Sequence, residues 1–190
     1  MKINFTSATK RILSVSACLV FIANTYSQHN HDGMPATDSN QYFKLLKGLV
    51  GNWKGHYQWS TNKAANGEMD ASYSLTGNGS AVVEDLLSGG VKSMTSVYHM
   101  DGVNLRMTHF CGANNQPRLI ADTTQSTGNS VTFTFVDITN LKNPDAGHVF
   151  GVKITFVSPD RININYRFTT KGAESDELIE LTRQPAASSN

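Results

Sequence analysis

The sequence predicts an all-β protein in which about ten antiparallel strands close into an up-and-down barrel, with one short helix before the first strand. From Gly51 onward, apolar residues recur at every second position, which is the period of a strand with one buried face. Gly, Asn and Asp separate these segments at intervals of about 10–12 residues. Because closure leaves no strand edge exposed, a barrel is the most economical arrangement for so many consecutive strands, and a two-layered sandwich is the alternative.

The composition indicates one globular domain. The chain has 190 residues, of which 39% are hydrophobic and only 16% are charged, and a length of about 100–200 residues is typical of a single domain. The 16 Lys and Arg residues nearly balance the 15 Asp and Glu residues, for a formal net charge of +1. We therefore expect no nonspecific nucleic-acid binding, since that requires a strongly basic surface.

Residues 1–27 have the composition of a secretory signal peptide. Basic residues without any acid precede an apolar run between positions 12 and 23. This run is well short of the roughly 20 residues that a membrane-spanning helix needs, so we predict no transmembrane span. Cleavage before Gln28 removes three cations and leaves a mature domain with 13 basic and 15 acidic residues, a net charge of −2. The predicted location is therefore periplasmic or extracellular.

The run Val15-Ser16-Ala17-Cys18 leaves a second mode of export open, because it resembles a bacterial lipobox. The cysteine of a lipobox becomes a lipidated first residue, so the mature protein would then be anchored to a membrane through Cys18. If Cys18 is instead removed with the signal peptide, Cys111 is the only cysteine left, and the core has no internal disulfide.

The barrel domain is predicted to span residues 38–190, after a flexible polar tether at residues 28–37. Within residues 38–49, apolar side chains recur at helical spacing, and Asp38 or Ser39 is the candidate N-cap. This segment predicts one short amphipathic helix that caps the barrel. The ten strands are predicted at about residues 51–61, 69–78, 80–88, 91–100, 103–113, 116–125, 129–138, 148–158, 161–171 and 176–184.

The clearest hairpin turns at Asp101-Gly102, a pair that suits a two-residue type I′ turn and places Met100 opposite Val103. One face of the hairpin then carries mostly apolar side chains, with one imidazole and one thiol at its far end. The residues of this face are Met94, Ser96, Tyr98, Met100, Leu105, Met107, His109 and Cys111. We predict that it lines the barrel interior together with Ile164 and Tyr166 of the ninth strand.

Gly51-Asn52-Trp53 opens the first strand directly after the predicted helix. In this position it resembles the Gly-x-Trp signature of the calycins, the superfamily of the lipocalins and fatty-acid-binding proteins. Calycins also carry a cation near the end of the last strand that packs across this tryptophan, and Arg183 occupies the corresponding place. The resemblance implies a calycin-like barrel with its base closed by Gly51, Trp53 and Arg183.

A longer motif begins with Thr108-His109-Phe110-Cys111 and ends, after a spacer of three residues, with Asn115-Gln116-Pro117-Arg118. It resembles a motif of a bacterial family of lipocalin-like domains, and the resemblance extends over about residues 45–184. Asn114 stands where that family often has a small residue such as glycine. The resemblance implies a fold and no particular activity.

The candidate ligand contacts lie on the predicted inner wall. His109 and Cys111 are two positions apart on one strand and therefore point to the same side. Arg118 is a candidate anchor for a carboxylate or phosphate group, provided that the face it shares with Gln116 is the inner one. The complete set of predicted ligand contacts is His109, Arg118, Tyr98, Met94, Met107, Gln116 and Tyr166.

These residues predict an exported barrel that binds a small apolar or amphipathic molecule, is a monomer or weak dimer, and carries no resident cofactor or metal. Three alternatives stay open. The first is an enzyme with His109 as general base beside Cys111 or Tyr98. The second is haem held by His109 or His99, since some ten-stranded calycin-like barrels bind haem through one histidine. The third is an interaction module with a filled core, and we favour binding over catalysis because no catalytic constellation is complete.

Overall fold

The computed structural model describes residues 39–185, which fold into a closed barrel of ten antiparallel strands. The predicted fold class is confirmed, including the short helix before the first strand. The predicted signal peptide at residues 1–27, the tether at residues 28–37 and the candidate lipidation site Cys18 lie outside the described residues. In the part of the chain that is described, no helix is both long enough and apolar enough to cross a membrane.

Each strand pairs with the next one along the chain, and the first strand also pairs with the last, which closes the barrel. The strands are β1 Gly51–Trp59, β2 Gly67–Thr76, β3 Ala81–Ser88, β4 Val91–Asp101, β5 Asn104–Phe110, β6 Gln116–Ala121, β7 Ser130–Thr139, β8 His148–Ser158, β9 Arg161–Thr170 and β10 Ala173–Arg183. Closure leaves every strand with a neighbour on both sides, so none presents a free edge for aggregation.

Alternation along each strand decides which side chains enter the interior. In β9, Ile162, Ile164 and Tyr166 are buried, whereas Arg161 and Arg167 at outward positions are exposed. The same alternation in the other nine strands gives one continuous apolar core, to which the helix also contributes. The predicted period of two therefore corresponds to an inner and an outer wall.

Helix α1, Gln41–Lys47, packs over the end of the barrel at which β1 begins and β10 ends, and this end is called the closed end. Phe43 and Leu46 of α1 are fully buried in the core. The N-cap is Asn40 rather than Ser39, because the Asn40 Oδ1 accepts hydrogen bonds from the backbone N–H groups of Tyr42 and Phe43, both at 3.0 Å.

The seam between β1 and β10 depends on a glycine. Gly55 lies opposite Leu181, and a Cβ atom at this position would overlap the backbone carbonyl of Glu180. Only glycine lets the two strands approach closely enough to pair here, so Gly55 permits the closure of the barrel.

The hairpin between β4 and β5 turns at Gly102 and Val103 rather than at Asp101 and Gly102. Gly102 has a φ of 60°, and Val103 is not in the positive-φ region, so the turn is closer to type II′ than to the predicted type I′. The register differs by two residues from the predicted one and pairs Asp101 with Asn104, Met100 with Leu105 and Tyr98 with Met107. Because a shift of two preserves alternation, the predicted inner face is unchanged.

β5 and β6 are shorter than predicted by three or more residues, because polar side chains and a left-handed residue turn the chain early. β6 ends at Ala121, since the Asp122 Oδ1 accepts a hydrogen bond from the backbone N–H of Thr124 at 2.8 Å and begins a turn. β5 ends at Phe110, and Asn114 in the following turn has a φ of 62°. Glycine and asparagine both tolerate this conformation, which accounts for the presence of Asn114 in the motif.

Candidate ligand site at the open end of the barrel

A fully buried carboxyl group, that of Glu84 on β3, lies in the barrel interior. The Tyr73 hydroxyl donates to its Oε1 at 2.6 Å, and the hydroxyls of Tyr98 and Tyr166 donate to its Oε2 at 2.9 and 3.1 Å. The three tyrosines come from β2, β4 and β9, so this cluster, which we call the Glu84 cluster, joins strands that are far apart in sequence. Three donors supply the hydrogen bonds that a buried carboxyl group needs.

The side chains of the Glu84 cluster fill the part of the barrel interior that they occupy. Burial raises the pKa of Tyr73, Tyr98 and Tyr166 well above the ordinary value, and the neighbouring Glu84 raises it further. The three hydroxyls therefore remain protonated donors at any physiological pH. Together with Met107, which is also fully buried, they make this part of the interior a packed core rather than a hollow channel.

His109 on β5 lies beside the Glu84 cluster. Its Nδ1 is 3.0 Å from the Ser96 Oγ, which is in turn 3.4 Å from the Tyr166 hydroxyl. The imidazole and Tyr166 rings are 5.0 Å apart between centroids. The His109 Nε2 is buried and has no hydrogen-bond partner among the described residues. Burial lowers the pKa of His109 to about 4, so the imidazole is neutral at pH 7.

A cavity of about 240 Å³ opens at the end of the barrel opposite α1, where β1 ends and β10 begins, and we call it the open-end cavity. Its wall is mostly apolar, and Trp59 and Phe168 meet in it edge to face, with ring centroids 6.0 Å apart. The lining residues are Trp59, Met94, Cys111, Gly112, Ala113, Val149, Tyr166, Phe168 and Glu177. The volume is just below the range of about 300–1,000 Å³ that is common for ligand pockets, so it suits a small molecule.

Among the described residues that line this cavity, Glu177 on β10 is the one with an acidic side chain, and it is only 6% exposed. Its carboxyl group makes no hydrogen bond or ion pair with another residue of the described part of the chain. Burial raises the pKa of Glu177 to about 7, and burial also raises the pKa of the Cys111 thiol beside it. The cavity thus combines apolar walls with one buried acid that has no partner.

The structure divides the predicted ligand contacts into three groups. Met94 and Tyr166 line the open-end cavity. Tyr98, Met107 and His109 face inward as predicted, but they lie in the packed core and are not part of the cavity wall. The third group consists of Gln116 and Arg118, which are on the outer wall.

The predicted interior anchor at Arg118 is therefore wrong. In β6 the inward positions are Pro117 and Leu119, which are buried, whereas Arg118 is exposed. Its guanidinium binds the Asp137 carboxylate in a two-pronged ion pair, with Nε to Oδ1 at 2.5 Å and Nη2 to Oδ2 at 2.8 Å. Gln116 shares this outer face, and its Oε1 accepts a hydrogen bond from the Thr139 hydroxyl at 2.9 Å.

The arrangement around His109 favours neither catalysis nor haem binding. The Nε2 is sealed from solvent, and His109 does not contribute to the cavity wall, so a substrate in the cavity cannot reach it in this conformation. Cys111 lines the cavity instead, and no hydrogen bond joins it to His109 in the described residues. A porphyrin does not fit these residues, because His109 lies in packed core and His99 is at an outward position of β4.

Two acidic residues of the interior, Glu84 and Glu177, are missing from the predicted set. A signal for Glu177 exists in the sequence, since it shares strand parity with the apolar residues Ile179 and Leu181. An acid at the beginning of a strand is nevertheless typical of a solvated rim. Its burial becomes visible only when the neighbouring strands place Trp59 and Tyr166 opposite it.

At the closed end, Arg183 packs across Trp53, as the calycin resemblance implies. The guanidinium carbon lies 4.3 Å from the centroid of the indole, and Nη2 and Nη1 donate to the backbone carbonyls of Gly48 and Val50 at 2.7 and 2.8 Å. The helix, the first strand and the last strand are thereby joined at one point.

Fold and site together define a closed, up-and-down β-barrel of ten strands with a small cavity at its open end. The fold is similar to the crystal structure of Rv2717c from M. tuberculosis, with a TM-score of 0.50 and 13% identity over 75% of this chain and 97% of that one. At this identity the similarity concerns the fold alone. No protein family profile matches the chain, and no curated protein is similar to it in sequence.

Two further solved structures are similar at lower scores. One is EF1p2_mFAP2b bound to DFHBI, with a TM-score of 0.38 and 12% identity over 75% of this chain and 98% of that one. The other is the isotype 1 transferrin binding protein B from serogroup B Neisseria meningitidis, with a TM-score of 0.32 and 10% identity over 70% of this chain and 25% of that one.

We expect the free energy of unfolding to decrease as the pH falls from 6.5 to 4, because the buried His109 imidazole resists protonation. The unfolded chain takes up a proton at the ordinary histidine pKa of 6.5, whereas folded His109 resists protonation until about pH 4, so acid favours unfolding across this window. The shift corresponds to about 3 kcal/mol. Urea unfolding at a series of pH values, compared with His109→Gln, measures it, and a difference between the two proteins that does not change with pH contradicts it.

Proposed function

We propose that this protein is an exported binding protein that holds one small apolar or amphipathic molecule in the open-end cavity. The observation that carries the proposal is the cavity itself, which combines aromatic and aliphatic walls with an opening to solvent. Ligand sites in proteins are typically mostly apolar, with few polar groups to orient the ligand. The open-end cavity has this composition, with Glu177 as its charged group.

The position of the cavity also supports a binding function. The closed end is sealed by α1 and the Arg183–Trp53 contact, and the middle is filled by the Glu84 cluster. A rigid base and a packed middle hold the walls of the open end in place without a ligand. Binding then requires little ordering of the protein, which favours affinity.

Export is the part of the proposal that depends on the sequence alone. The basic start and the apolar run within residues 1–27 support cleavage of a signal peptide, and Cys18 supports lipidation as the alternative. We further infer that the mature domain acts as a monomer or weak dimer, since a cavity enclosed by a single barrel needs no second subunit to complete it.

We also infer membership of the bacterial family of lipocalin-like domains whose motif the chain resembles. The geometry of the motif supports this inference, because its two halves form one corner of the open end. The Cys111 backbone N–H donates to the Asn115 carbonyl at 3.0 Å, and the Asn115 Nδ2 donates to the Gly147 carbonyl at 2.9 Å. The motif thus connects the cavity residue Cys111 to the loop that precedes β8.

Methyl NMR of methionine-labelled protein tests the proposal. We expect the Met94 methyl signal to shift in a saturable way on addition of a small neutral aromatic probe, 2-phenylethanol, because Met94 lines the cavity. The Met107 signal should stay in place, because Met107 is fully buried outside the cavity wall. Saturation at low millimolar probe is expected, since roughly 0.4 kcal/mol for each of its nine non-hydrogen atoms gives about 4 kcal/mol of binding free energy.

A pair of variants provides the control. Ala113 is exposed at the rim of the cavity, so Ala113→Trp should fill the opening without disturbing the core and should abolish the Met94 shift. Arg118→Trp introduces the same side chain on the outer wall and should leave probe binding unchanged. If neither 2-phenylethanol nor a charged probe with the same phenyl body shifts the Met94 signal in the unaltered protein, or if the shift is equal in Ala113→Trp, the open-end cavity is not a ligand site.

A further inference from the structure

The two buried acids of the barrel are satisfied to different degrees. Glu84 accepts hydrogen bonds from three tyrosine hydroxyls. Glu177 is nearly as buried, at 6% exposure, but no side chain or backbone group of the described residues donates to it. Its carboxyl oxygens remain accessible within the cavity, so a molecule that enters from outside can supply the donors that the protein does not.

The other groups that face Glu177 leave it as the sole charge of the cavity. The titratable neighbours in the wall are Cys111, directly after β5, and Tyr166, on β9. Burial raises the pKa of both, and the charge of Glu177 raises them further, so both are neutral near pH 7. No cationic side chain is among the described residues of the lining. An ionised Glu177 therefore has no counter-ion within the protein.

We propose that the open-end cavity takes a small organic cation, an alkylammonium group carried on an apolar or aromatic body, with Glu177 as its counter-ion. This inference rests on the proposed function and names the chemical class of its ligand. An ammonium group supplies both the charge and the hydrogen-bond donors that the Glu177 carboxylate lacks. Its apolar body packs against Met94 and Val149, and the Trp59 and Phe168 rings add an environment that attracts cations.

The size of the cavity limits the body of this ligand. A volume of 240 Å³ corresponds to about eight water molecules at roughly 30 Å³ each. One aromatic ring with a short aminoalkyl chain fits such a space, whereas a long lipid chain or a polycyclic molecule does not. The 2-phenylethylammonium ion is accordingly the probe that matches the site.

Three probes with the same phenyl body and different head groups test the proposal. These are 2-phenylethylammonium, which is cationic, 2-phenylethanol, which is neutral, and 3-phenylpropanoate, which is anionic. We expect the cation to bind at least about tenfold more tightly than the alcohol at pH 8.5, because hydrogen bonds between charged groups are roughly twice as strong as neutral ones. The anion should bind most weakly, and the Met94 methyl shift measures all three.

Two glutamate variants of β10 assign the effect to one carboxyl group. Glu177→Gln should abolish the preference for the cation, so that the cation and the alcohol bind to this variant with similar affinity. Glu180→Gln is the matched control, because Glu180 lies on the outer wall and pairs with His56 at 3.1 Å, and it should retain the full preference. Chemical shifts of the remaining methyl groups establish that both variants are folded.

The pH dependence of binding gives an independent readout. Because the pKa of Glu177 is about 7 in the free protein, the cation should bind about tenfold more weakly at pH 6 than at pH 8.5, where the carboxylate is ionised. Binding of the neutral alcohol requires no ionisation, so it should not weaken between pH 8.5 and pH 6. In Glu177→Gln, the affinity for the cation should be independent of pH.

The outcomes separate this inference from the proposed function. If none of the three probes moves the Met94 signal, the cavity is not a ligand site and the proposed function fails. If the alcohol binds as tightly as the cation, or if Glu177→Gln retains the preference for the cation, the cavity is a ligand site and the cation proposal alone is overturned.

Discussion

Replacing Glu84 with alanine is expected to destabilise the barrel by about 3 kcal/mol or more, because it leaves the buried hydroxyls of Tyr73 and Tyr98 without an acceptor and leaves that of Tyr166 with only the Ser96 hydroxyl, at 3.4 Å. Each orphaned buried donor costs about 1–3 kcal/mol, and the Glu84 carboxyl group is the acceptor for Tyr73, Tyr98 and Tyr166. Against a typical total stability of about 5–15 kcal/mol, this is a large fraction. The free energy of unfolding in urea measures the loss.

Matched variants distinguish the hydrogen-bond cluster from simple loss of volume. Tyr98→Phe removes one donor and leaves Glu84 with two, so it should cost only about 1 kcal/mol. Combining Glu84→Met with phenylalanine at all three tyrosines removes every polar partner together and should recover part of the stability lost in Glu84→Met alone. If that combination adds the full cost of each single change, the cluster is not a coupled unit.

The position of Glu84 could not be derived from the sequence of β3. The segment Val82-Val83-Glu84-Asp85-Leu86-Leu87 has an apolar residue, an acid and an apolar residue on each of its two faces. Alternation therefore gives no preference between Glu84 and Asp85 for the interior. The structure places Glu84 inside with the tyrosines and Asp85 outside, where Lys92 pairs with it at 2.7 Å. Whether Glu84 or Asp85 faces the interior depends on partner residues in other strands, and the sequence of β3 does not show them.

The barrel itself was predictable because its determinants are local. The period of two, the turn residues between strands and the single helical segment are all local patterns of the sequence. Together they predict ten strands and one helix, which the structure contains. β6 illustrates the limit, since Pro117 and Leu119 compete with Gln116 and Ile120 for the inner face. Local alternation does not determine which of these two pairs faces inward, and in the structure the Arg118–Asp137 ion pair forms on the outer wall.

The location of the cavity was not predictable, for a related reason. Inward-facing residues such as Tyr98 and Met107 are equally apolar whether they pack against neighbours or face a void. Which of these occurs depends on the summed volume of side chains from all ten strands at one height of the barrel. The Glu84 cluster fills one height and the small residues Gly112 and Ala113 leave space at another.

The second large effect is expected at the closed end, where Trp53→Ala should cost about 3–5 kcal/mol. Trp53 is only 1% exposed, its indole N–H donates to the Leu49 carbonyl at 2.8 Å, and it meets Tyr73 edge to face at 6.2 Å. Truncation leaves a large void, an unpaired carbonyl and an Arg183 guanidinium without its aromatic face. Unfolding in urea measures the cost.

The other tryptophan provides the matched comparison for this prediction, because the two indoles lie on one face of β1 at opposite ends of the barrel. Trp59 is only half-buried and lines the open-end cavity, so Trp59→Ala should cost clearly less stability while weakening the binding of 2-phenylethanol. Trp53→Ala at a temperature where it remains folded should leave that binding intact, because its indole is remote from the cavity wall. Equal losses of stability in the two variants would contradict the assignment of a structural closed end and a ligand-binding open end.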